Sequence, residues 1–405
     1  MNPLHLSGWG VKVAVEDMKS RSHLKITNGR LDDKQSTVAR YPPRRFPYSS
    51  IIVDGYSGYF SLRAIHWLSR NGTSVYVLDV DGSLLSSILP ATPLKADLRV
   101  SQMDASRDLK KKFTIAHAIV KAKVARSFQV LEWLEERYDL QRQIRLAKSE
   151  AVNLRRVSTV GQLRTAEGRV ALRYWDAIRK ILPEHLEFRG RMTSSHNNNA
   201  SDPVNSALNY GYALLEGECR RAINVVGLES SIGFLHDFSD YQTKQSLVYD
   251  VMEPYRWLVD ITVLQAFESR MLDLDTFHFK FDDYRFRFNP EAKERFIELL
   301  KERFNSGVRY RGQQMKWDTV IEQKTNELGR FLAGKRFALD FMEPSPTLMR
   351  FDSRVLRSRI LSLNASEAKR VGIPKQSLHD LRLKARRPQP FKLHTETMRK
   401  LRTVQ

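Results

Sequence analysis

The chain has 405 residues, of which 41% are hydrophobic and 10% aromatic, enough to bury a real core and too long for one small domain. Its 67 Lys and Arg outnumber 46 Asp and Glu, giving a formal charge of +21 and a pI near 10.0, an excess that favours polyanionic partners, nucleic acid first. No apolar run approaches the roughly 20 residues of a membrane span, no secretory pattern opens the chain, and the single cysteine, Cys219, excludes intrachain disulfides and cysteine-based zinc clusters. The expected setting is the cytoplasm, in association with DNA.

In chain order, residues 1–98 read as a β-rich domain. Ser49–Asp54 and Thr73–Asp79 are β-branched runs expected to be strands, with a further short strand at Leu24–Ile26. Between them Ser61–Arg70 has helical apolar spacing and stops at Asn71-Gly72. From Val100 the texture turns helical. One long helix is expected over Ser106–Tyr138, apolar through Phe113, Ala116, Val120, Val124, Phe128, Leu131 and Leu134, and basic on its other face through residues that include Lys121, Lys123 and Arg126. Helices follow over Thr165–Leu182, Val204–Val226, Ser246–Leu272 and Glu291–Asn305, with a polar loop at Thr193–Ser201. Met342–Asp352, with two prolines, reads as a linker. The last 55 residues hold 14 Lys and Arg against 4 Asp and Glu, so nearly half the net charge sits there. The expectation is an α+β protein: an N-terminal β-sandwich (1–98), a large all-α domain (99–341), a linker (342–351) and a small helix-turn-helix domain (352–405).

Three segments place metal-capable side chains where a fold does not need them: Glu167 near a helix start, His236 at the end of a glycine-bounded segment, and Asp250 with Glu253. The last two are three residues apart and share a helical face, before a kink imposed by Pro254. Two carboxylates and an imidazole suit Mn²⁺ or Mg²⁺, and an ion so held can activate a hydroxyl and screen a phosphate. Spacing alone leaves other readings open: Glu167 as a residue favoured by the helix dipole, His236 as an ordinary half-buried histidine, Asp250 and Glu253 as partners of Arg256.

These residues lie within an ordered set: Glu167-Gly168, Tyr174-Trp175, Phe188-Arg189-Gly190-Arg191, Asp202-Pro203-Val204-Asn205, Leu208-Asn209-Tyr210-Gly211-Tyr212, Gly227-Leu228, Gly233-Phe234-Leu235-His236, Ser246–Asp250 and Glu253-Pro254-Tyr255-Arg256. Upstream stand Ser61-Leu62-Arg63, Leu68–Gly72, Gln102 and Ala105-Ser106-Arg107. The set resembles the CRISPR-associated Cas1 integrase family over residues 45–300. The resemblance implies a β-sandwich followed by a helical catalytic domain, homodimers, and a divalent ion held by Glu167, His236 and Glu253, with Asp250 as a second important acid. Trp257 departs from the proline that many relatives carry after the arginine. The implied reaction is transesterification, a 3′-hydroxyl of incoming DNA attacking a target phosphodiester. Arg169, Arg173, Arg191 and Arg256 are candidates for positioning phosphates.

Beyond the helical domain, Ala368, Gly372 and Leu378 fall in the register of a helix-turn-helix. There a small residue permits close helix crossing, a glycine takes the turn's positive φ, and Leu378 with Leu381 packs the second helix. Pro374 suits the start of that helix. Lys375, Gln376, Ser377, His379, Asp380 and Arg382 then project from it, with Gln376 and Arg382 suited to base edges and Lys375 and Ser377 to phosphate. An integrase of this family with such a tail resembles a casposase, the transposase of a mobile element. The alternatives are a CRISPR spacer-acquisition integrase working with a small dimeric partner protein, and a DNA-binding protein without catalysis.

Overall fold

The structure is a computed structural model that describes residues 3–18, 21–29, 37–42, 45–55, 57–79, 82, 84–91, 95–191, 200–236, 245–280, 285–346, 348, 360–370, 372–386 and 397. Most of the loop expected at Thr193–Ser201, part of the linker, and both ends of the 352–405 module lie outside the described residues. The chain forms two compact units, each discontinuous in sequence: residues 1–123 with 194–344, and residues 124–193 with 345–405. No helix among the described residues is long and apolar enough to cross a membrane.

The first unit opens with strands β1 (Pro3–Ser7), β2 (Val11–Met18), β3 (Arg21–Thr27), β4 (Val38–Tyr41), β5 (Ser50–Asp54) and β6 (Gly58–Phe60), helix α1 (Leu62–Arg70), then β7 (Ser74–Leu78) and β8 (Leu84–Ile88). They make two four-stranded sheets, β1-β5-β7-β8 and β4-β3-β2-β6. Both sheets feed one apolar core through Leu6, Ile51 and Val75 on one side and Val13, Leu24 and Ile26 on the other, with Trp67 and Leu68 of α1. Because β5 and β7 run parallel, Ile51 opposite Val75, their connection must cross over, and α1 supplies the crossover. Ser61 caps α1, its hydroxyl accepting from the Ala64 N–H at 3.1 Å, and Gly72 ends it with φ +69°.

The long helix expected over Ser106–Tyr138 is present as α3 (Leu109–Glu135), preceded by a separate helix α2 (Ala96–Arg107) that takes in Ser106 and Arg107. Asp108 separates the two: its carboxylate accepts from the backbone N–H groups of Lys110 (2.9 Å) and Lys111 (3.0 Å), capping the start of α3. There follow α4 (Gln141–Ala151), α5 (Val160–Ile181), α6 (Pro203–Val226), α7 (Ser246–Met252) and α8 (Arg256–Glu268). The kink expected at Pro254 is present as a 3₁₀ turn over Glu253–Tyr255 that separates α7 from α8. Helix α6 is buried on nearly every side, and its sequence sets its ends: the Asp202 carboxylate accepts from Asn205 N–H at 2.7 Å, Pro203 follows, and Gly227 closes it at φ +85°.

The all-α expectation for residues 99–341 is corrected by two short antiparallel hairpins. One pairs β9 (Phe277–Lys280) with β10 (Arg285–Phe288); the other, after α9 (Pro290–Asn305), pairs β11 (Gly307–Tyr310) with β12 (Gln313–Lys316) and precedes α10 (Trp317–Leu332). In the first hairpin alternating Phe and basic residues give period-two strands, and in both hairpins strands of four residues are too short to register against the helical pattern.

In the second unit α4 packs along α5, and Arg137 lies 3.8 Å over the Trp133 ring. The tail folds as α11 (Ala365–Arg370) and α12 (Lys375–Arg386), with Gly372 at φ +70° between them and Ala368, Leu378 and Leu381 buried. Asn364 and Glu367 form a reciprocal cap at the start of α11, the Glu367 N–H donating to Asn364 at 2.8 Å and the Asn364 N–H to Glu367 at 3.0 Å.

Candidate active site

The site in the first unit is built around the segment between α6 and α7. Once Gly227 ends α6, the chain must turn back in an irregular path, and its backbone groups need partners. Gln102 of α2, fully buried, supplies three: its amide NH₂ donates to Glu229 O (2.9 Å) and Ile232 O (2.8 Å), and its carbonyl accepts from Glu229 N–H (2.8 Å). Gly233 then passes so close to α7 that a Cβ there would lie 2.7 Å from Ser246 Cβ and 2.8 Å from His236 O.

The next three backbone N–H groups converge on one buried carboxylate. Asp250 on α7 accepts from Phe234 N–H (2.5 Å), Leu235 N–H (3.0 Å) and His236 N–H (3.0 Å), and its Oδ1 also lies 2.7 Å from His236 Nδ1. The carboxylate is 0% exposed, so all of its charge is met by these four groups. With Nδ1 committed to Asp250, the imidazole presents Nε2, which lies 4.0 Å from Glu253 Oε1. This is the carboxylate–imidazole arrangement by which metal-binding histidines are held in one tautomer.

Glu253, 3% exposed, is compensated by two cations. Arg256 Nε donates to its Oε1 at 3.0 Å, and Lys123 Nζ stands 2.6 Å from Oε2. Burial alone would raise the Glu253 pKa; the charges of Arg256, Lys123 and His236 outweigh burial and hold it at about 2. The Arg256 guanidinium also lies 4.8 Å over the Tyr212 ring of α6, and Tyr212 donates to Asp260 at 2.5 Å. The reading of Glu253 as a partner of Arg256 therefore describes a real contact, in a buried setting rather than at the surface.

His236, Asp250 and Glu253 are thus brought together in the first unit. Glu167 stands half-buried on α5, in the second unit. Among the described residues no three His, Cys, Asp or Glu side chains stand close enough to hold a metal ion as they are arranged. The donor chemistry still fits a divalent cation: an oriented imidazole nitrogen faces an ionised carboxylate, while both oxygens of Asp250 are already taken by hydrogen bonds. Sequence reasoning placed Lys123 only on a basic helix face and gave Gln102 no role. Neither has a signal in spacing, because each acts across long sequence separations.

On the second unit Arg169 is exposed, while Arg173 pairs with Glu150 (3.5 Å) and Asp176 (3.9 Å). Arg191 is half-buried. On α12, Lys375, Gln376, Ser377, His379 and Asp380 are exposed, as the helical register requires. Arg382 differs from its expected outward projection: its guanidinium turns back to donate to Leu363 O at 2.6 Å, tying α12 to the entry of α11.

The first unit thus presents an imidazole held at Nδ1 by one buried acid with its Nε2 turned toward a second. The model of the family described as CRISPR associated protein Cas1 matches residues 18–302, and the chain belongs to that family. A CRISPR-associated endonuclease Cas1 of Archaeoglobus fulgidus is 28% identical over 332 residues, covering 78% of this chain and 94% of the relative. A casposase solved bound to its integration product superposes with a TM-score of 0.79 at 31% identity, over 89% of this chain and 99% of that one. A Cas1 protein from Thermotoga maritima, at 18% identity, shares the fold with a TM-score of 0.64 over 82% of this chain and 98% of its own.

Proposed function

We propose that the chain is a casposase, an integrase that joins the 3′-hydroxyl ends of element DNA to target DNA by divalent-metal-dependent transesterification. The observation that carries this reading is the imidazole of His236, fixed through Nδ1 by Asp250 and turned with Nε2 4.0 Å from the ionised Glu253. The near full-length likeness to a casposase solved with its integration product supports the particular assignment.

His236 and Glu253 would hold Mn²⁺ or Mg²⁺, with Glu167 added by the family resemblance. A bound divalent ion makes a hydroxyl nucleophilic and screens charge on the phosphate. Asp250 keeps the imidazole in the tautomer whose Nε2 is free to ligate, and its three backbone contacts fix the ring's origin. Lys123 and Arg256 hold Glu253 ionised, so the site keeps a donor carboxylate at neutral pH. In the reaction the 3′ oxygen bonds to a target phosphorus, the target's own 3′ oxygen leaves and takes a proton, and the number of phosphodiesters is unchanged. Arg169, Arg173 and Arg191 would steady phosphates. Lys375, Gln376, Ser377 and His379, exposed on α12, would read the element ends or target. Residues 1–98 would serve in dimerisation and residues 352–405 as the DNA reader.

The names of the curated relatives favour a second reading, a CRISPR spacer-acquisition integrase dependent on a small partner protein. An oligonucleotide, a supercoiled plasmid and Mn²⁺ separate the two. A casposase joins the ends unaided and prefers its own terminal sequence; an adaptation integrase needs the partner. His236→Ala is expected to abolish joining while DNA binding persists. Integration by that variant would refute the site, and DNA binding with no joining by the unmodified chain would leave a non-catalytic binding protein.

A further inference from the structure

The two cations that compensate Glu253 differ in how they are held. Arg256 belongs to the same turn: its Nε donates to Glu253 Oε1 at 3.0 Å, and its guanidinium is stacked 4.8 Å over the Tyr212 ring. Lys123 reaches in from α3, and its ammonium stands 2.6 Å from Oε2. That oxygen is sealed from water and takes no hydrogen bond of ordinary geometry, so the contact with Lys123 is one of charge. The lysine side chain is 23% exposed where the glutamate is 3% exposed, so the ammonium has solvent beside it into which it can move.

A buried carboxylate left without a counter-charge is strongly destabilising. A carboxylate that is to receive a divalent ion therefore needs a cation close enough to neutralise it and loose enough to leave. Arg256, stacked and bonded within its own turn, is built to stay. A lysine ammonium is a compact charge on a flexible stem, and it is built to move. We propose that Lys123 is the exchangeable counter-cation of Glu253: it holds Oε2 until a divalent ion takes the carboxylate, and then withdraws, because two cations against one oxygen repel. The proposal rests on the divalent-ion reading of the site and adds that the ion must compete with a residue of the chain. Each ion bound breaks one ammonium–carboxylate contact. Loss of such a charged contact weakens ion binding by roughly ten- to a hundredfold.

The test titrates Mn²⁺ into the full chain without DNA and follows the free ion by electron paramagnetic resonance. Lys123→Met keeps the stem and drops the charge, and should bind Mn²⁺ roughly ten- to a hundredfold more tightly than the unmodified protein. Lys123→Arg should bind it no more tightly than the unmodified protein. Equal or weaker binding by Lys123→Met overturns the proposal and makes the lysine a fixed support of Glu253. A second measurement needs no variant: lysine acetylation by acetic anhydride, read by mass spectrometry with and without Mg²⁺. Mg²⁺ should quicken labelling of Lys123 and leave that of Lys293, which is paired with Asp54, as it was. An unchanged rate at Lys123 also overturns the exchange. If neither the unmodified chain nor Lys123→Met binds Mn²⁺, the divalent-ion reading itself falls and the proposal with it; binding of equal strength in both strikes the exchange alone.

Discussion

Replacing Asp250 by asparagine isolates what its charge does, because the side chain keeps its shape while one oxygen becomes an NH₂. Oδ2 takes the N–H groups of Phe234 and Leu235; Oδ1 takes His236 N–H and lies 2.7 Å from His236 Nδ1. The amide oxygen can replace one of these oxygens only. With the amide oxygen in the Oδ2 place, the NH₂ meets the His236 N–H, a donor, and His236 Nδ1, which can accept in the other tautomer, so one hydrogen bond is lost in a fully buried place and the ring's tautomer is reversed. At about 1.5–3 kcal/mol for a hydrogen bond to a charged group, Asp250→Asn should cost about 1.5–3 kcal/mol, a sizeable part of the roughly 5–15 kcal/mol that holds a folded domain together. The loss should appear first as local opening. Amide hydrogen exchange over a peptide spanning 230–236 is expected to rise by about ten- to a hundredfold, and urea unfolding should move to lower denaturant. Glu132→Gln, which breaks only the exposed Lys148 pair, provides the control and should leave both unchanged. Exchange unchanged from the unmodified protein would refute the claim that the Asp250 charge fixes the His236 loop.

A Cβ at position 211 would stand 2.4 Å from Val259 Cγ1, so Gly211→Ala should cost about 1–3 kcal/mol by overpacking; adding Val259→Ala should recover part of it in urea melts. Burial lowers His5 below 6.5. Burial alone would raise Asp54, but His5 and Lys293 outweigh it and bring it to about 2. Both folded pKa values lie below the unfolded ones, so the native state binds fewer protons and stability rises with pH. The His5 contribution is complete above about 6.5 and lost as pH falls below it, and the Asp54 contribution is lost only as pH falls from about 3.8 toward 2; His5→Gln should therefore flatten the difference between urea midpoints at pH 7.5 and 5.5. Removing residues 352–405 should weaken selective DNA binding and reduce the salt slope by about 0.9 for each phosphate that is no longer neutralised; an unchanged slope would show that the tail does not touch the DNA backbone. Chelation of divalent ions should stop strand joining yet leave the unfolding midpoint nearly unchanged, since Lys123 and Arg256 already neutralise Glu253; a large drop in the midpoint would refute that compensation.

Local chemistry made much of the fold legible. Ser61 and Gly72 bound α1, Asp202-Pro203 and Gly227 bound α6, and Pro254 splits α7 from α8, because caps and proline act within a few residues and leave their residue types in the chain. The tail was legible for the same reason: Ala368, Gly372 and Leu378 are needed where they stand by helix crossing and a left-handed turn. The long helix α3 was legible from its apolar period, while its cap at Asp108, two residues inside the expected start, was not, because an aspartate there looks like a surface residue until its carboxylate is seen to take two backbone N–H groups.

The site divides in the same way. The ligand-type residues could be picked out by chemistry and by their ordered motifs, but the groups that make them usable could not. Gln102 lies more than a hundred residues along the chain from the carbonyls it holds, and so does Lys123 from Glu253. Their effect is electrostatic and conditional on burial: a glutamate 3% exposed would take up a proton without its two cations, and the imidazole would then face a neutral acid. A basic residue on an amphipathic helix gives no sign of whether it faces water or a buried carboxylate, since both satisfy the same 3.6-residue period. What distinguishes Lys123 is the buried carboxylate that stands 2.6 Å from its Nζ, a residue 130 positions further along the chain.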